Sequence, residues 1–449
     1  MVEGHEILDD GRRWRLTLRP GLAFHDGEPV RPADCIASIQ RWAKRRGLGQ
    51  RMMAQTDEMR VIDDRRFEIR MTKPYALLPY ALSDWCFVMP ERVARTSAFE
   101  QISDYTGSGP FRFLRDEWVS GSKAVYARND KYVPRQEAPD GAAGGKVVNF
   151  DRVEWQIVPD PATAAAALQA GEVDWYEQPL FDLLPSLRKA RGVRVLQNDG
   201  IGAIAMVAFN HLHPPFDNPK LLRALLPAVD QQVFMEAAYG QETGLFRTGV
   251  GVFTPGLPMA NTAGLEALTG PRDMALAKRL VAESGYKGEK VVLMSPSDYP
   301  DQQAYSLVMR DLLTQLGIAV DYVSTDWGTL VQRRASKEPP DKGGWGIFCT
   351  TYEGMTVANP ASHLPMRGNG LEGWFGWPTS PRLETLRDQW FDAPDEAAQR
   401  TICEQMQRIA MEEVPFLPVG QRFLPTAVRD NLQGIVKASY PVFWGVKRV

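Results

Sequence analysis

The sequence predicts an α/β fold. Two observations carry that reading: a strand, a helix and a second strand follow one another in two separate regions, each helix stopping at a glycine. A third is size, since 449 residues with 44% apolar and 24% charged side chains suit a globular chain with a large core of about three domain-sized units.

The first element is a strand. Trp14, Leu16 and Leu18 alternate with polar residues at period two. Pro20-Gly21 then turns the chain, Leu22 and Phe24 form a short apolar strand, and Asp26-Gly27 turns it again. Asp34 caps or enters a helix carrying Ile36, Ile39 and Trp42-Ala43. A strand pair follows around Arg60–Ile62 and Phe67–Arg70, then an apolar-aromatic stretch from Tyr75 to Val93. The Pro-, Gly- and Ala-rich segment Pro134–Gly145 reads as a loop.

The first strand-helix-strand unit begins with Val153–Val158. Asp160-Pro161 supplies an N-cap and a proline at the first helical position, and Gly171 a left-handed stop. Val173–Tyr176 returns as a strand, an order that predicts parallel pairing across a helical crossover. Ile201–Phe209 is a strand-length apolar run. In the second unit Val291–Met294 is a buried strand, Tyr305, Val308, Met309, Leu312, Leu313 and Leu316 share one helical face ending at Gly317, and Ile318, Val320 and Tyr322 alternate. A helix carrying Met274, Ala277, Leu280 and Val281 inward precedes it and stops at Gly285. Late helices begin at Ser380-Pro381 and span Glu396–Glu413, the second with Ile402, Met406, Ile409 and Ala410 inward. The strand-like Trp345–Phe348 leads into Thr350–Gly354, which reads as loop.

Charge and cysteine usage narrow the function classes. Lys and Arg (52) nearly balance Asp and Glu (55), so the basic excess typical of nucleic-acid binders is missing. No apolar run approaches the ~20 residues of a membrane helix. Cys35, Cys86, Cys349 and Cys403 form no CxxC pair, which leaves zinc-ribbon and thioredoxin-type motifs unsupported. Small buried hydrophobes and disulfides both remain open for them. Gly107-Ser108-Gly109 lacks the Lys and Ser/Thr of a P-loop and reads as a turn. His211 and His213 precede Pro214-Pro215 and read as a turn, and the single His363 is no metal site. HExxH, GxSxG and calcium-loop patterns are missing, so no catalytic residue, metal or cofactor is assigned.

The run Trp14-Arg15-Leu16-Thr17-Leu18-Arg19-Pro20-Gly21-Leu22-Ala23-Phe24-His25-Asp26-Gly27-Glu28-Pro29-Val30 closely resembles a signature of the extracytoplasmic solute-binding proteins that serve dipeptide, oligopeptide and nickel ABC importers. Gly107–Phe111 with Trp118, Asn129–Tyr132, Ala166–Asp174, Phe209-Asn210 with Pro215–Asn218, Leu222–Leu225, Ala228–Asp230, Ala277–Tyr286, Pro415–Pro418 and Leu432–Gly434 match the same family in order. Each is weak alone; their ordered spread over nearly the whole chain is specific.

That resemblance implies a two-lobed periplasmic-binding-protein-like fold with an additional domain, the lobes joined by crossover strands and enclosing the ligand. It places the additional domain at 1–148, a main lobe at 149–253 plus 428–449, and the opposite lobe at 254–427. Because Met1 stands just ahead of a strand expected inside a domain, without a secretory signal, the chain is expected to lack its natural start.

Loop-borne aromatics are the candidate ligand wall: Trp85 with Cys86 after a proline-containing apolar run, Tyr352 with Glu353, and Trp374 and Trp377 set among glycines. For each tryptophan the alternative is ordinary core packing. The family's dipeptide carriers place an aspartate near the Tyr352–Pro360 segment for the peptide amino group; here only Glu353 can substitute, or else serve as a structural carboxylate. Asn210 anchors ligand or satisfies backbone groups.

The resemblance therefore implies a non-enzymatic, monomeric, periplasmic substrate-binding protein. It would capture a peptide or related small solute for a membrane permease and use neither cofactor nor nucleic acid. A receptor or degenerate enzyme on the same fold, or a nonfunctional fragment, are the alternatives.

Overall fold

The computed structural model describes residues 1–449. The chain divides into two compact units, one of Met1–Glu177, Ser186–Arg194 and Ala427–Val449, the other of Gln178–Pro185 and Val195–Thr426. The boundaries expected at 148/149 and 253/254 fall inside these units.

The first unit opens with a four-stranded antiparallel sheet in the order Val2–Leu8, Arg13–Leu18, Arg66–Met71, Thr56–Val61. Alternation decides the inward face, since Trp14, Leu16 and Leu18 are all buried. The short strand expected at Leu22–Phe24 reduces to a single bridge, Ala23 to Pro29, made by the Phe24 N–H to Glu28 and Val30 N–H to Leu22 bonds around a tight turn at Gly27 (φ +95°). The helix Pro32–Ala43 starts one turn before the buried Cys35, and its Asp34 carboxylate accepts from the Arg31 N–H at 2.8 Å and the Glu91 N–H at 2.7 Å.

The first strand-helix-strand unit departs from expectation. Asp160 caps Pro161–Ala170 through the Thr163 N–H, and Gly171 ends it at φ +79°. The flanking strands do not pair with each other, however. Arg152–Gln156 runs antiparallel to Lys123–Arg128, while Trp175 and Tyr176 pair antiparallel with Val428 and Ala427. Each strand finds a partner distant in sequence, which order along the chain cannot show.

The second unit is built on a six-stranded mixed sheet in the order Phe246–Arg247, Phe416–Arg422, Ala203–Phe209, Ile347–Glu353, Val291–Pro296, Val320–Thr325. The last two strands are parallel, joined through the helix Pro300–Gln315 as the apolar pattern predicts. Ala203–Phe209 runs antiparallel between two partners, and all of its residues are buried. Such a strand must be apolar on both faces, hence the unbroken hydrophobic run. The strand Ile347–Glu353 extends through residues expected as loop, because Ala203–Phe209 supplies a hydrogen-bonded partner along its whole length.

Successive side chains of Ile347–Glu353 serve opposite faces of the sheet. Cys349 meets Ser306 of the helix Pro300–Gln315. Phe348 joins a core of Ala208, Val292, Met294, Leu330, Trp345 and Trp377. The helices Pro381–Phe391 and Glu396–Glu413 pack on one another, capped by Ser380 and Asp395.

Candidate ligand-binding site

One edge of the six-stranded sheet gathers charge. Register places Glu353 opposite Ala203, Ala203 opposite Arg422, and Arg422 opposite Phe246. The parallel strands end beside them at Pro296 and Thr325. The carboxyl ends of parallel strands are where open α/β sheets present their ligand sites, since the chain leaves the sheet there in loops.

Arg422 organises this edge. Its Nη2 donates to Thr351 Oγ1 at 3.1 Å, and its Nε lies 3.5 Å from an Asp301 carboxylate oxygen. Tyr239 donates from its hydroxyl to Asp301 at 3.2 Å and sits 3.0 Å from the Tyr305 hydroxyl. Burial opposes the charge on Arg422, but Tyr239, Asp301, Tyr305 and Glu353 outweigh it and hold the guanidinium above its ordinary value. Glu353 ends its strand exposed, and partial desolvation raises its carboxyl; Arg422 opposes that shift and Asp199 adds to it.

An aromatic wall stands on the other face of the same strand. Tyr352 meets Trp374 edge to face at 5.4 Å between ring centroids, and Trp374 also contacts Phe348 at 5.8 Å and Phe375 at 5.7 Å. Burial pushes the Tyr352 hydroxyl up to about 12, against Arg334 and Trp374, so it stays a neutral donor. Arg334 stands over Phe375 at 4.5 Å, Trp327 at 5.5 Å and Phe348 at 5.8 Å.

The fold brings Tyr352, Glu353, Trp374 and Trp377 into this one unit, but in different settings. Trp377 is only 4% exposed and packs on Trp345 at 6.0 Å, inside the core. Asn210 is buried, its Nδ2 donating to the Trp345 carbonyl at 2.9 Å and its Oδ1 accepting from the Leu212 N–H at 3.1 Å. Its amide therefore serves the backbone alternative.

Trp85 and Cys86 belong to the other unit. Trp85 is 59% exposed with φ +56°, and its ring contacts Phe87 at 5.8 Å and Tyr440 at 6.1 Å. Cys86 is half-buried, and burial pushes its thiol up to about 12; all four cysteines are free. His211, His213 and His363 bond to the carbonyls of Pro415, Lys337 and Val252.

Sequence reading missed Arg422, Asp301 and Arg334. The one available signal was Arg422 itself, a cation closing the buried run Phe416–Gln421. Its meeting with Asp301 depends on strand order.

A sequence model described as bacterial extracellular solute-binding proteins, family 5 middle, matches residues 1–363. The chain belongs to that family. This family 5 solute-binding protein is 36% identical over 451 residues to a probable peptide ABC transporter periplasmic-binding protein, y4tO, of Sinorhizobium fredii, covering 100% of this chain and 85% of that one. It is 23% identical over 453 residues to the glutathione-binding protein GsiB of Escherichia coli, covering 97% and 82%. Among solved structures, it superposes on DppA of Helicobacter pylori in complex with the peptide STSA at TM-score 0.82, with 18% identity and coverage of 100% and 88%. It superposes on AgaA of A. tumefaciens in complex with agropinic acid at TM-score 0.79, with 20% identity and coverage of 100% and 89%. The α/β architecture is thus that of the solute-binding proteins, as the motifs of the first 30 residues implied. No helix of the chain is long and apolar enough to cross a membrane.

Proposed function

We propose that this family 5 protein is the capture component of an ABC importer. It binds a peptide or closely related small solute outside the cytoplasm, as a monomer, and delivers it unaltered to a membrane permease. One observation carries the reading: at one end of the sheet, opposite charges, Glu353 and Arg422, close one face while an aromatic wall, Tyr352 and Trp374, stands on the other. A peptide presents that same combination of apolar side chains with charged ends.

Tyr352 and Trp374 cover the apolar part of the ligand, and Glu353 receives its cationic group. Arg422, tied to Asp301 and Thr351, holds the strand ends in place and opposes the desolvation that raises the Glu353 carboxyl. No bond is made or broken. Micromolar affinity needs about -8 kcal/mol, within reach of aromatic burial and a few charge-assisted hydrogen bonds.

Titration with Met-Leu, Ser-Thr-Ser-Ala and glutathione, followed by tryptophan fluorescence and melting temperature, tests the reading. A ligand at 100 times its Kd stabilises the fold by about 2.7 kcal/mol. Unchanged melting with every peptide, or recovery of cleaved peptide, overturns it.

A further inference from the structure

We infer that Arg334 anchors a carboxylate of the bound solute and thereby fixes which end of the ligand lies on the aromatic wall; the inference rests on the peptide reading above.

Arg334 follows directly on the short helix Trp327–Arg333. Helical side chains lean toward the helix start, which carries its guanidinium back over Trp327. There it is half-buried among ring faces, with Phe375 at 4.5 Å and Phe348 at 5.8 Å. The other buried or nearly buried arginines of this unit have carboxylates: Arg422 faces Asp301 at 3.5 Å, and Arg387 faces Glu384 at 3.3 Å. Arg334 has aromatic faces instead, and its Nε is buried with no hydrogen-bond partner. The titratable neighbour that acts on it is Tyr352, which forms the wall with Trp374.

Ring faces attract the positive charge of the guanidinium. They are poor acceptors for its five N–H groups, and its Nε has no hydrogen-bond partner. A desolvated donor without an acceptor is costly, so such an arrangement persists where the acceptor arrives from outside. A carboxylate matches the fork with two parallel hydrogen bonds, and the rigid planar guanidinium needs little further ordering to accept it. Glu353 is the next residue along the strand and points to the opposite face of the sheet, so Arg334 is the charge that accompanies the aromatic wall on its own face.

The test compares Met-Leu and Ser-Thr-Ser-Ala with their C-terminal carboxamides by isothermal titration calorimetry, in the native chain, Arg334→Gln and Arg334→Lys. The expected result is tenfold or greater weakening on amidation in the native chain. In Arg334→Gln the acid should bind no better than the amide, while the amide keeps its native affinity; Arg334→Lys should restore part of the preference. Equal binding of acid and amide by the native chain overturns the inference and leaves the peptide reading standing. So does a preference that survives in Arg334→Gln. If Arg334→Gln does not fold, the native acid/amide ratio and Arg334→Lys decide. Failure of every peptide to bind, in either form, overturns the peptide reading itself and this inference with it.

Discussion

His363 donates from Nε2 to the Val252 carbonyl at 2.8 Å, while its Nδ1 is buried without a partner. The ring can hold this position only as the neutral tautomer. Burial, with Arg387 adding, pushes its protonation down to about 3; the Val252 hydrogen bond opposes the shift. His211, bonded to the Pro415 carbonyl, is likewise pushed down by burial to about 4.

Both shifts have the same consequence for acid stability. The unfolded chain takes up these protons near pH 6.5, the folded chain only well below it, so the unfolded state gains as pH falls through that window. The stability is fully present above pH 6.5. Between pH 6.5 and 5 each histidine removes at most about 1.4 kcal/mol per pH unit. Urea midpoints measured across that range should fall in the native chain and fall less steeply in His363→Gln; identical slopes would refute the assignment.

Trp374 and Trp377 should separate under mutation. Trp377 fills the core beside Trp345, so Trp377→Ala should cost about 3–5 kcal/mol, read as a lower denaturant midpoint. Trp374 is half-buried at the wall. Trp374→Ala should cost less than half as much in stability and weaken ligand binding tenfold or more by fluorescence titration. Equal stability losses would place Trp374 in the core instead.

Glu353→Gln removes the proposed receiver of the ligand's cation. Affinity for a peptide with a free amino terminus should drop roughly tenfold, the scale of one charge-assisted hydrogen bond, while an N-acetylated peptide should be unaffected. Calorimetry on the two peptides checks this; unchanged affinity for both makes Glu353 a structural carboxylate.

Gly376 holds the loop that positions Trp374. Its φ is +105°, its carbonyl accepts from the His211 N–H at 2.8 Å, and an added Cβ would stand 2.4 Å from the Phe209 carbonyl oxygen. Gly376→Ala should therefore cost on the order of 1–3 kcal/mol and alter tryptophan fluorescence without ligand. A native melting temperature in this variant would show that the loop absorbs the change.

Local pattern was enough for much of the chain. Asp160 and Gly171 bound a helix that forms as read, and Glu396–Glu413 forms over its whole expected length. Both depend on residues within one or two turns of each other. The family was legible too, because its signature residues are consecutive from Trp14 to Val30.

Pairing and proximity were decided by the tertiary structure. Which strand lies beside Arg152–Gln156, whether Trp377 is wall or core, and that Arg422 meets Asp301 all depend on chain segments far apart in sequence. Strand hydrogen bonds are chemically alike whatever the side chains, so order along the chain leaves the partner open. The fate of Arg334 shows the same limit: an isolated arginine reads as a solvated surface charge until three rings from separate segments close around it. A chain of this kind declares what it is through contiguous residues, and how it grips its cargo only through contacts between remote ones. A ligand-bound form with Arg334 and Glu353 both untouched would break the second half of that statement.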